Sequence, residues 1–224
     1  MSHREPVNIY IVGAQCTGKT TLFNALWPSF RSSHDTVSPP GIIEERARIV
    51  HKVHKFTADD IISSSDRCLQ LQSLILHAQH DAETEALRDS QWIISDRSGL
   101  DPIVYAHRHL GPKTAANMMK SAAWRELRPR MEKSLIFVCE PGADWLVDDG
   151  LRLVPRDRED WDGIHRDFCQ VLEQTGLRYE IVPCEMLGIG ERMAFVWSKW
   201  REAMGDDRND LINKVNRATR GDPQ

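Results

Sequence analysis

The sequence predicts an α/β protein whose parallel sheet is covered by helices on both faces. Three features carry that expectation. Short apolar, β-branched runs at residues 7–12, 92–95, 135–139 and 179–182 alternate with longer segments of helical periodicity, the pattern of repeated βαβ units. The runs are apolar throughout rather than alternating, as strands buried on both faces are. A glycine-rich turn links the first run to the first helix. Right-handed crossovers then gather the carboxyl ends of the strands on one rim, where ligands of open α/β sheets bind.

Residues 7–12 read as a buried strand ending at Gly13, followed by a helix over 20–26 that stops near Pro28. Residues 31–41 read as a polar, Pro-rich loop around a short strand at 36–38. A helix over 42–56 is expected from the spacing of Ile43, Ala47, Val50, Val53 and His54. Residues 58–87 are helical with a break at 63–65, and the strand at 92–95 places Asp96 at its carboxyl end. Helices over 100–110 and 114–133, separated by Gly111-Pro112, lead to the strand at 135–139. Residues 143–157 are irregular and charged. A helix over 158–174 ends before Gly176, the strand at 179–182 follows, and a helix over 191–204 closes the domain. The expected organisation is one domain over 1–205, with a lid at about 143–158, and a polar tail over 206–224 that is disordered or a loosely docked helix.

The composition bounds the function. Of 224 residues 41% are hydrophobic, enough to bury a core. A formal charge of −4 gives no whole-protein attraction to nucleic acid or to an anionic membrane. No run approaches the 18 apolar residues of a transmembrane span, and the N-terminus has no apolar signal region. The five cysteines are scattered with no CxxC spacing, which fits a reducing compartment rather than a disulfide framework. A cytoplasmic protein is expected, with a small-molecule partner and no nucleic acid. Two histidine pairs, His51/His54 and His77/His80, lack the glutamate of HExxH and make a weak case for zinc. The cations of 114–133 read as a solvated helix face.

Gly13-Ala14-Gln15-Cys16-Thr17-Gly18-Lys19-Thr20 matches GxxxxGK(S/T) in full, with a strand before it and a helix after it. The chemistry needs these residue types. Glycines let backbone amides turn inward around phosphate oxygens. The helix N-terminus, which continues through Thr21, adds partial positive charge. Lys19 is expected at the β- and γ-phosphates of ATP and the Thr20 hydroxyl on Mg²⁺. Cys16, among inward-facing amides, reads as a tolerated small residue.

Further candidates surround that cradle. Asp96 ends a strand beside it, where a ligand to the Mg²⁺ water or a catalytic base sits; Arg97 can clamp phosphate or orient an acceptor. The structural alternative is that Asp96 or Ser98 caps the helix starting near Leu100. In "GIIEERAR", Glu44 or Glu45 can take a proton from a substrate hydroxyl, with Glu44 preferred. In "DDGLRLVPRDRED", Arg152, Arg156 and Arg158 suit a mobile lid over a triphosphate; a solvated loop with Asp157 capping the next helix is the alternative.

Taken in order, "VGAQCTGKTTL", "EERAR", "IISDRSGLDPIVYA" and "DDGLR…IHRDFCQVLEQTGLRYEIV" resemble the small AAA-type P-loop ATPase/kinase family that includes the ribosylnicotinamide kinase domain. Asp96-Arg97-Ser98 is also similar to an element of nucleoside and thymidylate kinases. The resemblance covers about residues 7–185. It implies a P-loop NTPase fold, three layers α/β/α around a parallel sheet of about five strands with an Arg-bearing lid, and use of ATP and Mg²⁺. By that resemblance Gly13, Gly18, Lys19 and Thr20 match the phosphate loop, Asp96 and Arg97 the rim element, and Arg152 the lid arginine. Arg156 and Arg158 have no counterpart. The expected activity is an ATP-dependent kinase acting on a small hydroxyl acceptor, nucleoside-like or a specialised metabolite. The alternative is an NTPase or switch with a protein or lipid partner. Acceptor choice is expected to depend on residues 29–41, which fit no family pattern.

Overall fold

The computed structural model describes residues 6–33, 38–142 and 157–205. Within them a five-stranded, all-parallel sheet has the order β2-β3-β1-β4-β5. The strands are β1 (Ile9–Val12), β2 (Gly41–Ile43), β3 (Ile93–Asp96), β4 (Leu135–Cys139) and β5 (Glu180–Val182). The helices are α1 (Lys19–Ser32), α2 (Arg46–His54), α3 (Ala58–Ser63), α4 (Ser65–Asp89) and α5 (Leu100–Leu110), then α6 (Pro112–Met118), α7 (Ala122–Glu132), α8 (Arg158–Thr175) and α9 (Ile189–Met204).

The central strand shows why the sequence builds three layers. All four residues of β1 are buried, and successive side chains point to opposite faces. Ile9 and Ile11 pack with Leu22, Leu26 and Phe30 of α1 and Val196 and Trp200 of α9. Tyr10 and Val12 pack on the other side with Ile103 of α5, Leu127 of α7 and Phe168 of α8. The register sets Ile11 beside Asp96 and Phe137, so the turns after β1, β3 and β4 open on one rim.

Three local expectations are corrected, and a fourth falls mostly outside the described residues. The α1 helix runs through Pro28: Phe30 is locked against Trp197 at a ring-centroid distance of 3.7 Å, and the hydroxyl of Ser29 donates to the Leu26 carbonyl at 2.8 Å. Residues 41–43 are a strand rather than the start of a helix, because Gly41–Ile43 pairs with Ile93–Ser95. Pairing of this kind overrides local periodicity. The short strand expected at 36–38 lies mostly outside the described residues, and Ser38 is not in a strand. The segment 114–133 is two helices, since the Ser121 hydroxyl accepts the Trp124 amide and starts α7 anew. The break at 63–65 stands where expected: Thr57 and Asp60 form a capping box on α3, and Ser64 caps α4. Of the lid expected at about 143–158, residues 143–156 lie outside the described residues, as does the tail over 206–224.

Candidate functional site

The Gly13–Thr20 turn leaves β1 and enters α1 on the rim. Gly13 has φ +129°, and a Cβ there would lie 2.8 Å from the Cys139 carbonyl oxygen, so only glycine lets the loop pass under β4. Gly18 sits at φ +81° as the N-cap of α1. Cys16, at φ +61°, holds a left-handed conformation that side chains rarely adopt. The loop is braced from within by the Thr17 hydroxyl, which donates to the Ala14 carbonyl at 2.9 Å.

Lys19 is buried. Its ammonium donates to the Ala14 carbonyl and, at 3.3 Å, to the Thr17 hydroxyl. Burial, reinforced by the Arg97 guanidinium, pushes its pKa down to about 8. A cation so poorly solvated is a ready partner for an incoming anion. The Thr20 hydroxyl donates to Asp96 Oδ2 at 2.6 Å. Asp96 is 1% exposed, and its Oδ1 has no partner among the described residues. An orphaned carboxylate oxygen beside a hydroxyl is the donor set a hard divalent cation takes, so Thr20 and Asp96 fit the Mg²⁺ role expected of them. Asp96 does not cap α5. The N-cap is Gly99; just before it the Ser98 hydroxyl accepts the Leu100 amide at 3.1 Å, while Asp101 accepts the Ser98 amide at 2.8 Å.

Arg97 follows at φ +81°, a strained position for a non-glycine residue. Its buried guanidinium lies between two acids: Nε donates to Glu45 Oε1 at 2.7 Å and Nη1 to Asp101 Oδ1 at 3.3 Å. Burial disfavours its charge, but Glu45, Tyr105 and Asp101 outweigh that and hold its pKa well above the ordinary arginine value. The two acids of the Glu44-Glu45 pair are placed differently. Glu44 is exposed, whereas Glu45 is 7% exposed and also accepts Arg48 Nε at 2.7 Å. Pleat alternation explains the choice. Ile43 is buried, Glu44 faces outward, and Glu45 turns back in as the chain enters α2.

Beside this triad lies a cavity of about 570 Å³ whose lining includes Gln15, Glu45, Arg97 and Asp101. Gln15 joins it to the loop: its Oε1 accepts the Tyr105 hydroxyl at 2.7 Å, and its backbone carbonyl accepts Trp161 Nε1 at 2.8 Å. Trp161 is thus a support of the loop from α8, a role its charged sequence neighbours concealed. Arg192 was also missed. It is buried in α9 and donates Nη1 to the Thr17 carbonyl at 3.0 Å and Nε to the Met186 carbonyl at 2.7 Å. Nothing in its local sequence sets it apart from a surface arginine.

The described residues among those expected to choose the acceptor lie elsewhere. None of the described residues in 29–41 lines the cavity; residues 29–32 belong to α1, on the other side of the sheet. Thr21, the residue after the loop, is exposed on α1. Arg158 stands at the start of α8, paired with Asp162 at 3.0 Å and donating to the Pro141 carbonyl at 3.3 Å. Arg152 and Arg156 lie outside the described residues. Among those described, no helix is long and apolar enough to cross a membrane.

Comparison with solved structures places the same architecture in several kinases. The chain superposes on a NadR protein in complex with NR with a TM-score of 0.68 and 21% identity, covering 91% of this chain and 53% of that one. It therefore spans about half the length of that protein. A thymidylate kinase from Candida albicans matches with a TM-score of 0.58 and 15% identity, over 89% of this chain and 94% of that one. A deoxyadenosine kinase from M. mycoides with bound dATP gives 0.56 and 14%, over 86% and 98%. These likenesses establish the fold of P-loop small-molecule kinases. A search of the curated proteins finds no match. The family model described as an AAA domain matches residues 8–188, and the chain belongs to that family.

Proposed function

We propose that the protein is an ATP-dependent kinase that transfers the γ-phosphate to a hydroxyl of a small molecule, nucleoside-like or a specialised metabolite. The observation that carries this reading is the shared wall. Gln15 of the phosphate loop, Arg97 and Asp101 all border a cavity large enough for a metabolite. Plain hydrolysis needs no such chamber. NR and dATP, seen in proteins of similar fold, are of a size to suit it.

The chain's own residues supply the chemistry. The amides of Gly13–Thr20 and the Lys19 ammonium bind the phosphates, whose charge offsets the desolvation of the buried lysine. Thr20 and Asp96 would hold Mg²⁺, which neutralises phosphate charge when bound. Arg97 directs its guanidinium along the wall between loop and cavity and stabilises charge on the transferring group. Glu45, fixed by Arg97 and Arg48, takes the proton of the acceptor hydroxyl. The acceptor oxygen then bonds to the γ-phosphorus as the bond to the bridging oxygen breaks and ADP leaves. Arg152 keeps the role of a lid cation that its motif suggests.

Incubation with labelled ATP and panels of nucleosides, sugars and amino alcohols tests the reading. Transfer to an acceptor well above the rate of hydrolysis, abolished by Lys19→Ala in a variant that still folds, is expected. Hydrolysis alone, with no acceptor in any panel, would replace the kinase by a nucleotide-dependent switch.

A further inference from the structure

We infer that the acceptor carries an oxyanion, a carboxylate or a phosphate, besides the hydroxyl that receives the phosphoryl group. Its place as acceptor rests on the kinase reading above; its binding in the cavity does not. The cations lining the cavity are Arg46, Arg48, Lys52 and Arg97, against the carboxylates of Glu45 and Asp101. Arg97 consumes both acids, and Arg48 shares Glu45. Arg46 and Lys52 meet no carboxylate among the described residues. The one bond from Arg46 is its Nε to the Glu44 carbonyl, at 2.8 Å, which holds the side chain at the cavity wall.

The placement of these cations runs against helix electrostatics. The amino end of a helix carries partial positive charge and favours acids. The first turn of α2 holds no acid, and Arg46 and Arg48 occupy it. Two arginines and a positive helix end, whose N-cap Glu45 makes no side-chain cap bond and pairs instead with Arg97 and Arg48, converge on the same wall, an arrangement that an oxyanion relieves.

A second observation points to the same ligand. Gln72 is 3% exposed and lines the cavity, yet its Oε1 has no partner among the described residues. A buried amide oxygen left unpaired is destabilising, and an N–H or O–H donor on the occupant removes that penalty. The neighbouring Gln79 is already committed, donating to Glu83 and Ser95. Phe56, Ile61, Ile75 and Pro102 supply apolar wall between the polar groups. The occupant is therefore a compact hydroxylated anion with a further donor, rather than a neutral or cationic riboside.

The test uses the full chain saturated with Mg·ADP, so that the phosphate loop is filled. Calorimetric titration compares matched probes: ribose with ribose 5-phosphate, glucose with gluconate, and uridine with uridine 5′-monophosphate. In at least one pair the anion should bind about tenfold or more tightly than its neutral partner, the worth of a charge-assisted hydrogen bond. Sugar phosphate against sugar acid tells phosphate from carboxylate. Arg46→Gln should remove the advantage and leave Mg·ADP affinity unchanged, whereas Gln72→Leu should weaken both members of the pair alike. Equal binding within every pair, no binding in any pair, or a loss of Mg·ADP affinity in place of probe affinity in Arg46→Gln would overturn the inference. Arg46-dependent binding of an anion that receives no phosphate from ATP would instead sink the kinase reading and leave the inference standing.

Discussion

Lys19 shows how a single residue is held against its own solvation. Its value of about 8 lies below the ordinary 10.5 because burial, and then Arg97, disfavour the charge. Between about pH 8 and 10.5 the unfolded chain binds the extra proton, so this group makes the nucleotide-free protein more stable as pH rises through that window. Below it, both states are charged and the cost of burial is fully present. Lys19→Met should therefore raise the melting temperature of the nucleotide-free protein at pH 7 by roughly 2–4 °C while abolishing transfer. Nucleotide binding at pH 8.5 should take up a proton, read as a binding enthalpy that differs between buffers of different ionisation enthalpy. Glu45→Gln should lower kcat by about 10²–10⁴, while Glu44→Gln leaves it unchanged. Residues of this kind were unequally legible. The loop residues and Asp96 announced themselves because spacing and strand end are local facts. The choice of Glu45 over Glu44 turns on the pleat phase at the end of β2, and that phase depends on pairing with β3.

Among the elements, the loop after β1 is the most tightly specified. Gly13→Ala places a methyl against the Cys139 carbonyl at 2.8 Å in a left-handed backbone and should cost about 1–3 kcal/mol, seen as a lower urea midpoint together with lost ADP affinity. Helices with their own stop signals were legible: the Ser64 cap between α3 and α4, and Gly176 at φ +70° after α8. Elements made by contacts were not. β2 is three residues long and exists through its ladder to β3. The α1 helix continues past Pro28 because the aromatic rings of α9 hold its last turn. The cavity belongs to the same class: α2, α4 and α5 wall it, and no local signal says that three helices far apart in sequence share a chamber.

Across the whole molecule a buried polar cluster ties the layers together. Glu83 of α4 is fully buried and accepts the Tyr10 hydroxyl of β1 at 2.8 Å, Arg130 of α7 at 2.7 Å and Gln79 at 2.9 Å, while Gln79 reaches Ser95 of β3 at 3.0 Å. Burial raises the Glu83 pKa, and its three hydrogen bonds pull the other way. Glu83→Ala should destabilise the protein by about 3 kcal/mol or more, since it strands a cation and a phenol in the interior; the urea midpoint measures it. The cluster and the strand order have a joint consequence for how the chain matures. β1 lies between β3 and β4, pairing Ile9 with Ile94 and with Leu135, so the neighbours of the phosphate loop are synthesised long after the loop itself. A nascent chain that has emerged only as far as residue 130 lacks β4, and with it the Cys139 backbone on which Gly13 rests. A chain truncated at residue 130 should therefore show weaker ADP affinity than the full chain, measured by calorimetry. The phosphate loop is thus completed only by strands that follow it in the chain.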